Sequence, residues 1–328
     1  MTGDPYQHVA VLGGGAWGTA LAQAAALAGR QVTIWMRNAD QATSMARTCR
    51  NDRRLPGVEL SPDLRPTARL QDIAVADMIL LAVPAQTIGG LVTELAGILP
   101  DTAPVVLCAK GIDRNDGTLL SSKIGAALPG NPLCVLSGPT FAAELASGLP
   151  TAATLAAPDL SLADHLAAAL SHDTFRLYTS DDVTGVELGG AVKNVLAIAA
   201  GAVMGMRLGA NARAAMIARG LSEMRRLGQA MGARPDTMMG LSGLGDLVLS
   251  CTDDQSRNFR FGYAMGAGNS QPEELAEGVY TARALHLLAQ RHKIDLPLAS
   301  AVHAVLYEGA PLRETVSQLL TRPPAREG

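Results

Sequence analysis

The chain has 328 residues, 48% of them hydrophobic and 17% charged, with a formal net charge of −3. That length is sufficient for two domains, and that composition belongs to a well-buried globular chain and not to a disordered one. Near-neutral charge without a Lys/Arg block excludes the electrostatic footprint of a nucleic-acid binder.

The N-terminus shows no basic start followed by an apolar run, so no signal peptide is expected. From there "HVAVLG" reads as a short buried strand, and "WGTALAQAAALAG" as an alanine-rich helix closed by Gly29. "QVTIWM" is a second strand. "ADMILLAVP", "APVVLCAKG" and "LCVLSGP" follow as strands, with helices over Thr87–Leu99 and Thr118–Leu128 between them. "TAATLAA" and "FRLYTS" flank the helical "SLADHLAAALS". This alternation predicts an α/β fold: a doubly wound, mostly parallel sheet with helices on both faces.

After Asp182 the pattern turns helical, and no further strand is expected. The boundary is placed near residues 180–185, giving a dinucleotide-binding domain over 1–182 and an all-helical substrate and catalytic domain over 183–328. "MGARPD", "GAGNSQP" and "IDLP" read as connections between helices, and the tail "TRPPAREG" as frayed. Val195–Met206 is the longest uncharged apolar run, short of the roughly 20 residues a membrane span needs. Cys49, Cys108, Cys134 and Cys251 fit neither a metal spacing nor a C-x-x-C pair and read as reduced thiols, so a soluble, cytoplasmic protein is expected.

Gly13, Gly15 and Gly18 form G-x-G-x-x-G between the first strand and the first helix. One glycine makes the tight turn, one admits a pyrophosphate close to the backbone, and one allows close helix–strand packing. The helix N-terminus adds free amides and a positive dipole end, so a nicotinamide dinucleotide is expected. In NAD-binding versions the second strand ends in a carboxylate that holds the ribose. Here it ends in Arg37, which is either a solvated arginine or a partner for the 2′-phosphate of NADP. NADPH is therefore expected to serve at least as well as NADH.

Open α/β sheets bind ligands beyond the carboxyl ends of their strands. That rim receives Pro84, Lys110, Gly138, Pro139 and Thr140. The helical part supplies Lys193, Asp246 and the successive Ser256, Arg257 and Asn258, a set able to satisfy a phosphate or to form an ordinary polar loop. Lys193 is the one charged residue of "LGGAVKNVLAIAAGAVMGM". Either it snorkels to water along an apolar surface, or its amine does chemistry in a cavity. The six histidines show no H-x-x-x-H pair, so no metal is expected. Neither "GLSGLG" nor "LSGPT" matches a nucleophile elbow.

In order and at similar separations, "GGGAWGTALA", "LPGVEL", "AVPAQ", "AKGI", "LSGPTFAAE", "GVELGGAVKNVLAIAAG", "GLSGLGDL", "SRN" and "AEGVYTA" resemble the motifs of the bacterial-type glycerol-3-phosphate dehydrogenases, over nearly the whole chain. The resemblance implies interconversion of sn-glycerol 3-phosphate and dihydroxyacetone phosphate with NAD(P), feeding phospholipid synthesis, by a homodimer. It implies Lys193 as catalytic acid/base and Lys110 and Asp246 in the substrate site, with Gly138 and Thr140 close by. Ser256, Arg257 and Asn258 would hold substrate phosphate or adjoining cofactor. Ala16, Trp17, Arg37, Ala142, Leu275 and Glu277 match positions of cofactor contacts.

Three departures bear on cofactor and loop contacts more than on the reaction. Ala16 replaces a frequent serine, Arg54 stands where an aromatic is common, and Asp253 replaces a small polar residue. A lysine donor works best with its pKa brought towards working pH by burial and a nearby cation, here Lys110, with Asp246 offsetting part of that shift. Two rivals are a hydroxyacid or ketoacid reductase of the same architecture and a non-catalytic NADPH sensor. The β-hydroxyacid enzymes resemble a lysine followed four residues later by asparagine, where this chain has Ala197. A sensor would have a substituted lysine or phosphate cluster, and neither is substituted.

Overall fold

The computed structural model describes residues 6–269 and 276–320. β1 (His8–Leu12) turns through the glycine loop into α1 (Ala16–Leu27), and β2 (Gln31–Trp35) leads to α2 (Ala39–Thr48). β3 (Leu64–Thr67), β4 (Met78–Leu81), α3 (Ile88–Leu95), β5 (Val105–Leu107) and α4 (Leu120–Ala127) follow. β6 (Leu133–Ser137), α5 (Ala142–Ala146), β7 (Thr151–Ala156), α6 (Leu160–Leu170) and β8 (Phe175–Ser180) complete the alternation.

The strands form one sheet in the order β3-β2-β1-β4-β5-β6-β7-β8. Every pairing is parallel except β6 with β7, which is antiparallel. β1, β4 and β5 are covered on both faces, and for that reason they read as unbroken apolar runs. Leu21 of α1, Met45 of α2, Leu145 of α5 and Leu166 of α6 pack on one face. Ile88 and Leu91 of α3 and Ile124 of α4 pack on the other.

Two local expectations need correction. β3 (LRPT) has no counterpart in the sequence reading; its Pro66 is tolerated because the strand lies at the sheet edge, where a missing N–H costs little. The helix expected over Thr87–Leu99 is regular only to Leu95, since Ala96 leaves the helical region and Gly97 follows at φ +87°.

The second half is helical among the described residues, with α7 (Val183–Gly205), α8 (Gly209–Ala230) and α9 (Pro235–Met239). A single π turn, Leu241–Gly245, runs into α10 (Asp246–Thr252), and α11 (Arg257–Gly266), α12 (Glu277–His292), α13 (Pro297–Tyr307) and α14 (Leu312–Leu320) complete it. Asp182 starts α7 by accepting from the Gly185 amide at 2.8 Å, and its other oxygen accepts from the Arg234 amide at 2.8 Å.

Apolar on all sides, α7 is by length and composition able to cross a membrane, yet 83% of its most apolar stretch is buried against the rest of the chain. That is the environment of a core helix. It serves two cores: Val186 packs with the sheet, whereas Leu188, Val192 and Val195 pack with the helical half. The four cysteines are free thiols. The tail beyond Leu320 and the last three residues of "GAGNSQP" lie outside the described residues.

Candidate active site

The strand order reverses between β2-β1 and β4-β5, so a crevice opens beyond the ends of β1 and β4. The glycine loop sits there. Gly13 has φ +130°, and a side chain on it would meet the Ala82 carbonyl oxygen at 2.6 Å. At Gly18 a side chain would fall onto the Gly13 carbonyl, which is what brings α1 close to β1. Gly15, the N-cap of α1, faces open space with nothing within 4 Å of where a Cβ would lie. The loop is thus packed on the protein side and bare on the outer side, as a pyrophosphate cradle requires.

Ala16, Trp17 and Ala142, the first residue of α5, line one partly buried wall beside this loop. The Trp17 indole donates to the Cys108 carbonyl at 3.0 Å, and the Lys110 ammonium lies 5.9 Å from its ring centre. Arg37 stands exposed just past β2, with no ion pair among the described residues. Leu275 lies outside the described residues.

Across the rim, one carboxylate holds two ammonium groups. Asp246 is wholly buried at the start of α10, directly after the π turn. Its Oδ2 lies 2.6 Å from Lys110 Nζ and its Oδ1 2.9 Å from Lys193 Nζ. Lys110 also donates to the Gly138 carbonyl at 2.8 Å, an oxygen that Thr140 Oγ1 approaches at 3.2 Å. Gly138 is required here, because a Cβ would sit 2.6 Å from Ala153 Cα. Burial lowers the Lys110 pKa to about 8, and the Lys193 charge adds to that effect, while Asp246 opposes it. The second cation of the sequence reading is therefore present, and Asp246 couples to both lysines and not to Lys193 alone.

Lys193 is only 9% exposed, which sets aside the snorkelling alternative. It donates to Ser250 Oγ at 2.6 Å, and Ser250 lies 3.3 Å from Asp246 Oδ1. Glu277 opens α12 among Arg257, Lys193 and Lys110 and takes a backbone bond from Ala85, the residue after Pro84; burial raises its pKa. With two carboxylates against three cations, the pocket keeps a surplus of positive charge suited to an anionic ligand.

The consecutive Ser256, Arg257 and Asn258 divide in two. Arg257 is exposed at the first position of α11. Ser256 and Asn258 are buried and engaged inside the protein: Ser256 Oγ caps α11 by accepting from the Phe259 amide at 3.3 Å. Asn258 Nδ2 donates to Asn194 Oδ1 at 2.8 Å, and its Oδ1 accepts from the Gly278 amide at 2.9 Å. Asn194 Nδ2 in turn donates to the Lys110 carbonyl at 3.1 Å.

Ser250 and Asn194 are the members of this constellation that sequence reasoning missed. Ser250 follows Asp246 by one helical turn, a spacing that shares a face and could have been noticed. Asn194 is adjacent to Lys193, but its links to the Lys110 carbonyl and to Asn258 of α11 are tertiary and leave no trace in the sequence.

A glycine cradle at the switch point of a parallel sheet, facing a lysine pair on one buried carboxylate, defines a two-domain nicotinamide-dependent oxidoreductase. The family profile for the N-terminus of NAD-dependent glycerol-3-phosphate dehydrogenase matches residues 8–163, and the profile for its C-terminus matches residues 182–317. The chain belongs to that family. It is 53% identical over 320 residues to a glycerol-3-phosphate dehydrogenase [NAD(P)+] of Bradyrhizobium diazoefficiens, covering 97% of this chain and 98% of the relative. Its counterpart in Methylobacterium radiotolerans is 52% identical over 318 residues, covering 95% and 96%. A crystal structure of glycerol-3-phosphate dehydrogenase from Coxiella burnetii superposes with a TM-score of 0.92 at 39% identity, covering 97% of this chain and all of the other.

Proposed function

We propose that this NAD(P)-dependent dehydrogenase reduces dihydroxyacetone phosphate to sn-glycerol 3-phosphate, and runs the reverse, with Lys193 as the proton donor and acceptor. The observation that carries this reading is the Lys193–Asp246–Lys110 cluster beside the glycine cradle. When bound, the nicotinamide supplies or accepts the hydride at the substrate carbon. Negative charge then grows on the former carbonyl oxygen, and Lys193 Nζ delivers a proton to it. Ser250 and Asp246 hold that amine in place, and Lys110 adds positive charge where the oxyanion forms. In oxidation the neutral amine takes the hydroxyl proton back.

Arg257, exposed at the rim, clamps the substrate phosphate together with free amides of the first turn of α11. Ser256 and Asn258 support this from behind. Ala16, Trp17, Arg37, Ala142 and Glu277 border the dinucleotide, and residues 1–182 and 183–328 act as its binding domain and the catalytic domain. Partners are small phosphorylated metabolites, with no nucleic acid. The product feeds phospholipid synthesis in the cytoplasm, where four free thiols stay reduced, and the working unit is a homodimer.

The deciding experiment is turnover of dihydroxyacetone phosphate by wild type and Lys193→Ala. The variant should lose about 10²–10⁴-fold in kcat while keeping its affinity for the dinucleotide, and unphosphorylated dihydroxyacetone should be a poor substrate of the wild type. Near-normal kcat in the variant, or equal kcat/KM for the two ketones, overturns the assignment.

A further inference from the structure

Histidines that look scattered along the chain meet in space. His286 on α12 and His303 on α13 stack with ring centres 4.0 Å apart and planes within 5° of parallel. Glu308, which ends α13, places Oε1 3.1 Å from His303 Nδ1. One donor atom from each of the three residues lies within 4.8 Å of the others. His303 is buried, and Tyr307 stacks on it at 5.1 Å and donates its hydroxyl to the Val279 carbonyl, so the back of the cluster is fixed. His286 is only partly buried and Glu308 is exposed, so the front can move.

We propose that His286, His303 and Glu308 form a divalent transition-metal site of the zinc type that clasps α12 to α13. Two imidazole nitrogens and a carboxylate oxygen are a donor set for Zn(II) and its neighbours and a poor one for Mg(II) or Ca(II), which take oxygen ligands. Tetrahedral zinc with bonds of about 2.0–2.1 Å holds its ligands about 3.3 Å apart. The donors must therefore close by at most about 1.5 Å from their present spacing, a movement that rotation of the His286 and Glu308 side chains provides. The parallel rings open along one edge so that their nitrogens converge, and water fills the fourth position. Gln290, whose amide nitrogen lies 2.9 Å from His286 Nε2, then steadies the ring or releases it. Arg283 adds positive charge close to His303, which the Glu308 carboxylate offsets. The site is separate from catalysis: His286 lies about 13 Å further along α12 than Glu277 at helical rise.

The test uses the full-length chain without an affinity tag. Zinc chloride is titrated calorimetrically into wild type, His286→Gln and Glu308→Gln, and thermal unfolding is compared in zinc and in EDTA. Expected are micromolar or tighter binding at one zinc per chain and a Tm raised by roughly 5 °C at a hundredfold excess over Kd. Each variant should bind at least tenfold more weakly and lose the Tm rise, with turnover in EDTA unchanged. Magnesium chloride should have no effect. Wild-type affinity weaker than about 1 mM, or equal zinc binding in both variants, overturns the proposal; the second result would place the ion elsewhere, for instance on the thiols.

Discussion

Arg37 and Lys110 show how differently single residues can be read. Arg37 sits at a strand end, and its position alone predicts a choice of cofactor: there is no carboxylate to repel a 2′-phosphate, and an exposed guanidinium is free to pair with one. Arg37→Asp should shift the kcat/KM ratio from NADPH towards NADH by about tenfold or more, because a charge-assisted bond is replaced by repulsion. The KM for dihydroxyacetone phosphate should stay nearly constant. A wild type that strongly prefers NADH, or a ratio unmoved by the substitution, would put the ribose beyond Arg37. Lys110 was legible as a rim residue, since a lysine ending an uncharged strand is conspicuous. Its sharing of Asp246 with Lys193 was not, because 136 residues separate that lysine from its carboxylate. Glycines 13, 15 and 18 were the most legible residues of all, as their spacing encodes backbone contacts that only glycine permits. The roles of Asp246 and Glu277 came only through family resemblance, since nothing local distinguishes a buried carboxylate from a solvated one.

At the scale of elements, the strands and helices that carry periodicity were readable, and those shaped by their neighbours were not. β3, an edge strand with Pro66 inside it, was hidden. The π turn before Asp246 was equally hidden, although it lets the chain pass α7 closely: a Cβ on Gly189 would sit 2.6 Å from the Ser242 carbonyl oxygen. The next residue, Gly190, presses on the opposite side. A Cβ there would collide with the Ser137 hydroxyl and touch Lys110 Cγ at 3.4 Å. Gly190 is three residues before Lys193 and shares its face. Alanine would favour the helix by about 1 kcal/mol, yet it would push α7 away from β6 and move the amine. Gly190→Ala should therefore lower kcat by about tenfold or more without lowering Tm in proportion. Adding Ser137→Ala, which removes the colliding hydroxyl, should restore much of the rate. Failure of that rescue would mean that α7 is not seated by this contact.

Across the whole molecule, one contact that responds to pH is Glu187, a carboxylate of α7 buried at the start of α4. Oε1 accepts from the Ser121 amide at 3.2 Å, and Oε2 has no hydrogen-bond partner among the described residues. Burial outweighs the backbone bonds and raises its pKa to about 7. A carboxyl raised above its unfolded value near 4.5 favours the fold while protonated. That contribution is complete below about pH 4.5 and is lost as pH rises through 7. Glu187→Gln removes the titration, so the fall in stability from pH 5 to pH 8 should shrink, by at most about 3 kcal/mol. Urea unfolding at both pH values measures it, and an unchanged slope would reject the assignment. The same helix ties the two halves of the chain together. With Val186 in the core of the sheet and Leu188 in the core of the helices, α7 leaves neither half a boundary at which to melt alone. Calorimetry should thus record one cooperative transition, its van't Hoff and calorimetric enthalpies agreeing for the chain. A fragment ending at residue 182 should stay molten, exposing apolar surface to dye. Two resolved melting peaks would show instead that each half is a folding unit in its own right.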